Sequence, residues 1–297
     1  MSLRFSGGPY ANYTFTQSTG TRLEIMQGLQ YALTLAGWTT ISSSTSIIIM
    51  QTQTTPESLA MRIKIYDPGS GSTRVDIMNV SQALTSGDCW LTPAANKIWR
   101  VVACPYQFFI YTQMSMYNAC EFVAAGTPAL PPWLVGYTTQ CGWIKGNSNG
   151  DGGGWTGSFR TELSGFNADY YSHWSGFWNH QYIDRNPANE YYRTGDMTLV
   201  TTGIGYTGTS TNGASGNQGR RWVDNTLNLS DPLIGWGASA IADEARIMGQ
   251  LWDCAIASDA FAADLTVTIG THNGITMTSS NTGSTASPAG TLIVCYS

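Results

Sequence analysis

The chain has 297 residues and a mass of 32.1 kDa, with apolar residues at 42%. It is long enough for one large domain or two small ones, and apolar enough to build a core and not remain a disordered tail. Charge is scarce: 14 basic and 19 acidic residues make up 11% of the chain, against roughly 25% in an average soluble domain. The net charge of −5 leaves no basic footprint for a phosphate backbone, which excludes a nucleic-acid binder, and no apolar stretch approaches the length of a membrane-spanning helix.

Glycine (33), tryptophan (11) and tyrosine (15) take the place of the missing charges. A surface so poor in charge does little to repel neighbours. The expectation is a surface covered by other subunits, or one made to touch neutral partners such as sugars.

Residues 21–36 carry the clearest helical pattern. Leu23, Met26, Leu29 or Gln30, Leu33 and Ala36 recur at steps of three and four, and Gly37 stands where a helix stop belongs. Thr21 with Glu24 three residues on forms a capping box. The helix is expected to lay its apolar face on a sheet.

Strands follow at Thr39–Ser43, Ser46–Gln53 and Ala60–Tyr66, the last alternating apolar and polar residues. Asp67-Pro68-Gly69-Ser70-Gly71 has turn chemistry and joins this strand to Arg74–Val80 as a hairpin. Ile98–Ala103 and Tyr106–Thr112 add two strands broken at Cys104-Pro105. The expectation over roughly residues 20–125 is one helix on an antiparallel meander.

Pro128, Pro131 and Pro132 mark a boundary within 126–135. Residues 146–157 and 201–219 read as glycine-rich loops, and 239–257 as room for one short helix, being rich in Ala, Glu, Arg, Met and Leu. Strands return at Asp264–Ile269, Gly274–Met277 and Thr291–Cys295, where Leu292-Ile293-Val294 is apolar enough to be central in a sheet. The fold class is therefore α+β, mainly β. Residues 1–130 form a helix-plus-sheet module. Residues 131–297 form a glycine- and aromatic-rich β region that closes with a C-terminal strand, either as a separate unit or as one continuous domain with the first.

Few motifs ask for chemistry. Cys89, Cys104, Cys120, Cys141, Cys254 and Cys295 are scattered without CxxC spacing or a histidine at ligand distance, so they read as buried free thiols and not as a zinc site. Asn147-Ser148-Asn149-Gly150-Asp151-Gly152 matches the first half of a calcium loop, but Ser158 stands where a bidentate Glu is required. No metal and no cofactor are expected. Glycoside hydrolysis needs two carboxylates across a cleft; Glu162, Asp169, Asp184 and Glu190 are the candidates. No nucleophile elbow or phosphate loop occurs, and His173, His180 and His272 have no evident partners. Met1–Gly8 lacks the basic and apolar stretches of a secretory signal. The aromatic run from 155 to 192 supplies the best contact residues: Trp155, Tyr170, Tyr171, Trp174 and Trp178. They fit a subunit interface or, alternatively, a platform on which sugar rings stack.

Four segments together resemble structural proteins of tailed bacteriophages. They are the helix ending in Ala36-Gly37-Trp38, the run Lys97-Ile98-Trp99-Arg100-Val101-Val102-Ala103 before Tyr106-Gln107-Phe108-Phe109-Ile110, the run from Glu121-Phe122-Val123 to Pro131-Pro132-Trp133, and Gly290-Thr291-Leu292-Ile293-Val294. The resemblance covers mainly residues 20–135 and the C-terminal strand; 136–260 have no counterpart in it. It implies a non-enzymatic virion component of tail, baseplate or neck. Such a subunit assembles with itself as a symmetric oligomer and with other virion proteins. A receptor-binding module for a cell-surface glycan is the alternative, and a glycan-degrading enzyme the second.

Overall fold

The computed structural model describes residues 3–55, 60–78, 89–112, 121–130, 141–147, 155–161, 170–172, 198–201, 229–230, 232–236, 246–257, 264–277 and 291–297. Its elements run β1 (Ala11–Thr16), α1 (Arg22–Leu35), β2 (Thr39–Ser43), β3 (Ile47–Gln51), β4 (Arg62–Tyr66), β5 (Thr73–Met78), β6 (Cys89–Leu91), β7 (Ile98–Cys104) and β8 (Gln107–Thr112). They continue with β9 (Phe122–Gly126), β10 (Cys141–Asn147), β11 (Trp155–Thr161), β12 (Tyr170–Ser172), β13 (Thr198–Thr201), β14 (Leu229–Ser230) and β15 (Pro232–Trp236). The last are β16 (Arg246–Gln250), β17 (Cys254–Ala257), β18 (Thr266–Ile269), β19 (His272–Met277) and β20 (Thr291–Cys295). The chain is mainly β, with one helix among the described residues.

The helix forms where its end signals place it. The Thr21 hydroxyl accepts from the Glu24 backbone N–H, and the Glu24 carboxylate accepts from the backbone N–H groups of Ser18, Thr19 and Thr21 at 2.8, 3.0 and 2.9 Å. Those donations hold the Glu24 carboxyl well below the usual carboxylate range, the Ser18 hydroxyl contributing most. At the other end Gly37 takes φ +83°, Trp38 N–H reaches the Leu33 carbonyl at 2.9 Å and Gly37 N–H the Thr34 carbonyl at 3.0 Å. This is a Schellman stop, which glycine permits without a Cβ clash, and Leu33 and Trp38 are buried beside it.

The expected meander divides into two sheets. Strands β2-β3-β4-β5-β6 pair in chain order as one antiparallel sheet, the meander sheet. Strands β7, β8 and β9 belong instead to a central sheet of order β1-β7-β8-β9-β10-β11-β12. The reason is in the side chains. β3 and β4 alternate buried with half-buried or exposed residues, so one covered face suffices. Phe108, Phe109, Ile110 and Tyr111 on β8 are apolar at both parities and all buried, so β8 must be covered twice.

One cover is the meander sheet with α1. Trp99, Val101, Ala103, Phe108, Ile110, Val123, Ala125 and Ile144 share a core with the helix residues Ile25, Met26, Leu29, Ala32 and Leu33 and with Ile48, Met50, Ile63, Ile65, Val75 and Ile77. The helix touches β1 and β7 on one side and β2, β3 and β5 on the other, while β5 and β6 approach β10. The two sheets thus close directly at one end and are wedged by α1 at the other. Fully burying one such Phe, Leu or Ile is worth about 1.5–3 kcal/mol.

The opposite face carries Val102, Gln107, Phe109, Tyr111, Ala124 and Trp143, all buried. C-terminal residues lie against it: Tyr111 donates to the Asp264 carboxylate at 3.1 Å, and the Gln107 amide binds the Trp252 backbone. β14 and the strands from β17 to β20 build a further sheet of order β14-β17-β20-β19-β18, in which β20 is central as its apolar sequence requires. A small sheet of order β13-β15-β16 completes the strands.

Two loop-and-helix expectations are corrected. Residues 146–157 are not one long loop, because Gly146 and Asn147 end β10, Trp155 begins β11, and the two pair from Asn147–Trp155 to Cys141–Thr161. Glycine in β10 serves close packing: a Cβ at Gly142 would lie 2.8 Å from the Met61 Cγ. Residues 246–250 and 254–257 are strands, not a helix, separated by Asp253 at φ +49°. Pairing with β15 and β20 overrides the helical composition there.

Replacing Gly28 tests this packing. Alanine in a helix interior ordinarily gains about 0.5–1 kcal/mol over glycine. A Cβ at Gly28 would lie 2.6–2.7 Å from three atoms of the Phe15 ring, and such overpacking costs about 1–3 kcal/mol. Gly28→Ala is expected to lower the urea midpoint, and Gly28→Ala with Phe15→Leu to recover part of the loss. A stabilised single variant would show that the ring moves aside freely.

Candidate functional site

Three of the five aromatic candidates fall together at one end of the central sheet. Trp155 lies opposite Ser172, Tyr171 opposite Thr156 and Tyr170 opposite Gly157 on β11 and β12, and β12 is the sheet's edge. Trp174 and Trp178 lie outside the described residues, as do Glu162, Asp169, Asp184, Glu190, His173 and His180. The calcium-loop positions 148–152 and the glycine-rich positions 202–219 are outside them as well.

The described surface offers a different contact element, the β2–β3 hairpin. Residues 39–47, Thr-Thr-Ile-Ser-Ser-Ser-Thr-Ser-Ile, are exposed throughout and contain no charge. β2 is the edge of the meander sheet, so among the described residues its outer backbone donors and acceptors have no partner strand. Edge strands ordinarily carry lysine, proline or a bulge against unwanted pairing. β2 has only the bulge, at Ile41, whose side chain is 42% exposed. On the adjoining helix Tyr31 and Leu35 are exposed too, with Tyr31 packed on Tyr13 at 4.9 Å between ring centroids and Gln30 bonded to Thr40. β18, the edge of the C-terminal sheet, is likewise uncharged, with Leu265, Thr266 and Thr268 exposed. The sequence signal for both edges is a short run of Thr with Ile, Val or Ser and no Lys, Asp or Glu.

The titratable groups gather elsewhere, in a buried cluster around Asp253. Its Oδ1 accepts from the Ser6 backbone N–H at 2.8 Å and the Tyr10 hydroxyl at 3.0 Å, with the Cys104 thiol beside it. Burial raises the Asp253 carboxyl above the usual carboxylate range against the pull of these donors. Burial, reinforced by the Asp253 charge, pushes Cys295 up to about 12 and Cys104 well above the ordinary thiol value. Burial also pushes the Tyr10 phenol up to about 12. Thiols so placed stay protonated and are not nucleophiles. Cys89, Cys104, Cys254 and Cys295 are all buried.

The cluster acts as a clasp. Asp253 N–H also donates to the Arg4 carbonyl at 2.7 Å, and Cys295 N–H to the Asp253 carbonyl at 2.7 Å, so one residue joins the N-terminal arm to β20. Phe5 stacks on His272 at 3.8 Å beside it. Among the described residues no group of three or more His, Cys, Asp or Glu is placed to hold a metal ion, and no helix is long and apolar enough to cross a membrane.

Asp253 gives a pH-dependent test. A carboxyl raised on folding supplies its stability in full below the unfolded value, roughly pH 3.9, and loses it as pH rises through the folded value. Asp253→Asn keeps an acceptor for Ser6 and Tyr10, tolerates φ +49° and removes this slope. It is expected to equal or exceed wild type in thermal unfolding at pH 7 and to lose that advantage near pH 4. Asp253→Ala should lose about 1–3 kcal/mol at both. Equal losses in both variants at both pH values would exclude a raised carboxyl.

No protein-family model matches this chain, and no curated protein matches it in sequence.

Proposed function

We propose that this chain is a non-enzymatic structural subunit that assembles with copies of itself, and that the particle it builds is phage-like, in tail, baseplate or neck. The observation that carries self-assembly is the β2 edge: exposed over its whole length, uncharged, and open to backbone pairing. The scarcity of charge in the chain supports the same reading, since little electrostatic repulsion opposes close approach of copies. The particle context rests on the phage-like segments of residues 20–135 and 290–294. Trp155, Tyr170 and Tyr171 on the β11–β12 edge are a second contact region in this reading, and other virion proteins are its further partners.

Light scattering of the purified protein, followed by imaging of the eluted species, tests the proposal. A discrete oligomer, ring or tube is expected. Ile41→Lys places like charges on the approaching edges and is expected to shift the assembled species to monomer while the melting temperature stays within a few degrees. A 32 kDa monomer at high concentration overturns the reading. Assembly unchanged in Ile41→Lys overturns the role of β2 alone.

A further inference from the structure

The exposed row of α1 and the β2 edge form one uncharged side of the molecule. The helix turns back through residues 36–38 into β2, so the two run antiparallel, and the Gln30 side chain donates to the Thr40 hydroxyl at 3.3 Å. Beside that contact stand the exposed helix residues Gln27, Tyr31, Thr34 and Leu35, at steps of three and four and therefore on one stripe. None of them is charged, and neither is any residue of β2. The charged residues of α1, Arg22 and Glu24, both stand in its first turn and are engaged. Arg22 pairs with Asp67 at 2.5 Å, and Glu24 closes the capping box.

Large apolar side chains gather here. Tyr31 is 53% exposed, Leu35 46% and Ile41 42%, half of the six that stand so exposed among the described residues. Such a concentration marks a contact surface, where scattered single residues would not. The side is also preformed. Tyr31 is seated against the Tyr13 ring, and at the hairpin turn the Ser44 hydroxyl accepts from Ile47 N–H at 3.0 Å. All of it lies within residues 3–55, which are described without a break.

We propose that this side is a two-fold interface with a second copy of the chain, β2 pairing antiparallel with the partner's β2 and α1 packing beside the partner's α1. This deepens the self-assembly reading and rests on it. Pairing an edge with itself about an axis normal to the sheet keeps both helices on one face of the joined sheet, so the two exposed stripes meet. A residue near such an axis meets its own copy, and a charge there would face its like; a side without charge can close on itself. Because Gln30 bonds Thr40, Tyr31 stands level with the middle of β2 and near the axis. β18, the other uncharged edge, has no helix beside it among the described residues, so pairing β2 with β18 gives the stripe on α1 no helix to meet.

Light scattering of paired charge variants of the full chain tests it. Tyr31→Glu and Tyr31→Lys each set like charges across the axis. Each alone is expected to reduce the assembled mass to about half or less, and their equimolar mixture to restore it. A head-to-tail contact gives no such rescue, because position 31 then meets a different surface. Melting temperature checks the folding of each variant. Ile41→Cys supplies a second reading: bismaleimidoethane is expected to link it as a covalent dimer without larger species, above the background of wild type treated alike. Where a Tyr31 variant fails to fold, that link decides alone. Full assembly in both charge variants, a mixture no larger than either variant by itself, or an assembled Ile41→Cys that does not link would overturn the two-fold interface and leave self-assembly standing. A monomeric wild type would overturn both.

Discussion

The structure depends on a strand pair that is apolar on both faces. Val101, Val102 and Ala103 on β7 and Phe108 to Tyr111 on β8 leave no parity for water. A sheet built on them has to be covered twice, by α1 with the meander sheet on one side and by C-terminal residues on the other. The second cover comes from residues more than a hundred positions away along the chain. Its ordering costs loop-closure entropy, which rises only slowly with length, and the burial of side chains such as Phe109 and Trp143, packed with their rings tilted at 6.0 Å between centroids, offsets it.

Burial on this scale leaves polar groups to be satisfied inside, and amide side chains do much of that. Gln107 binds both the N–H and the carbonyl of Trp252, as a neighbouring strand would. Gln17, fully buried, accepts from the Trp99 indole at 2.7 Å and from Ala94 N–H at 3.3 Å, and donates to the Thr21 carbonyl at 2.9 Å. The Trp38 indole donates to the Cys104 carbonyl at 2.8 Å. Each such group left unpaired would cost about 1–3 kcal/mol. At these positions neutral amides and indoles meet the demand without the desolvation that buried ion pairs incur, which fits a chain that uses few charges.

Local signals in the sequence were sufficient where the structure is decided locally. The capping box, the Gly37 stop and the Asp67–Gly71 turn each act within a few residues, and the helix and the β4–β5 hairpin stand where they indicate. The split of the meander was also encoded, in the double apolarity of β8, but it becomes visible only when both parities are weighed. β16 and β17 were not legible, because their helical composition is overridden by distant partners. The surfaces divide the same way. The uncharged run at 39–47 is contiguous in sequence, whereas the outer face of the meander sheet needs register to bring Ile47, Tyr66, Arg74 and Trp90 into one row.

The two surfaces of the meander sheet are geometrically coupled. Ile47 begins β3, beside the free β2 edge, and is also the first member of the row that ends at Trp90. Pairing of a copy on β2 would extend the same sheet across two copies, and the row from Ile47 to Trp90 would then repeat on one continuous surface.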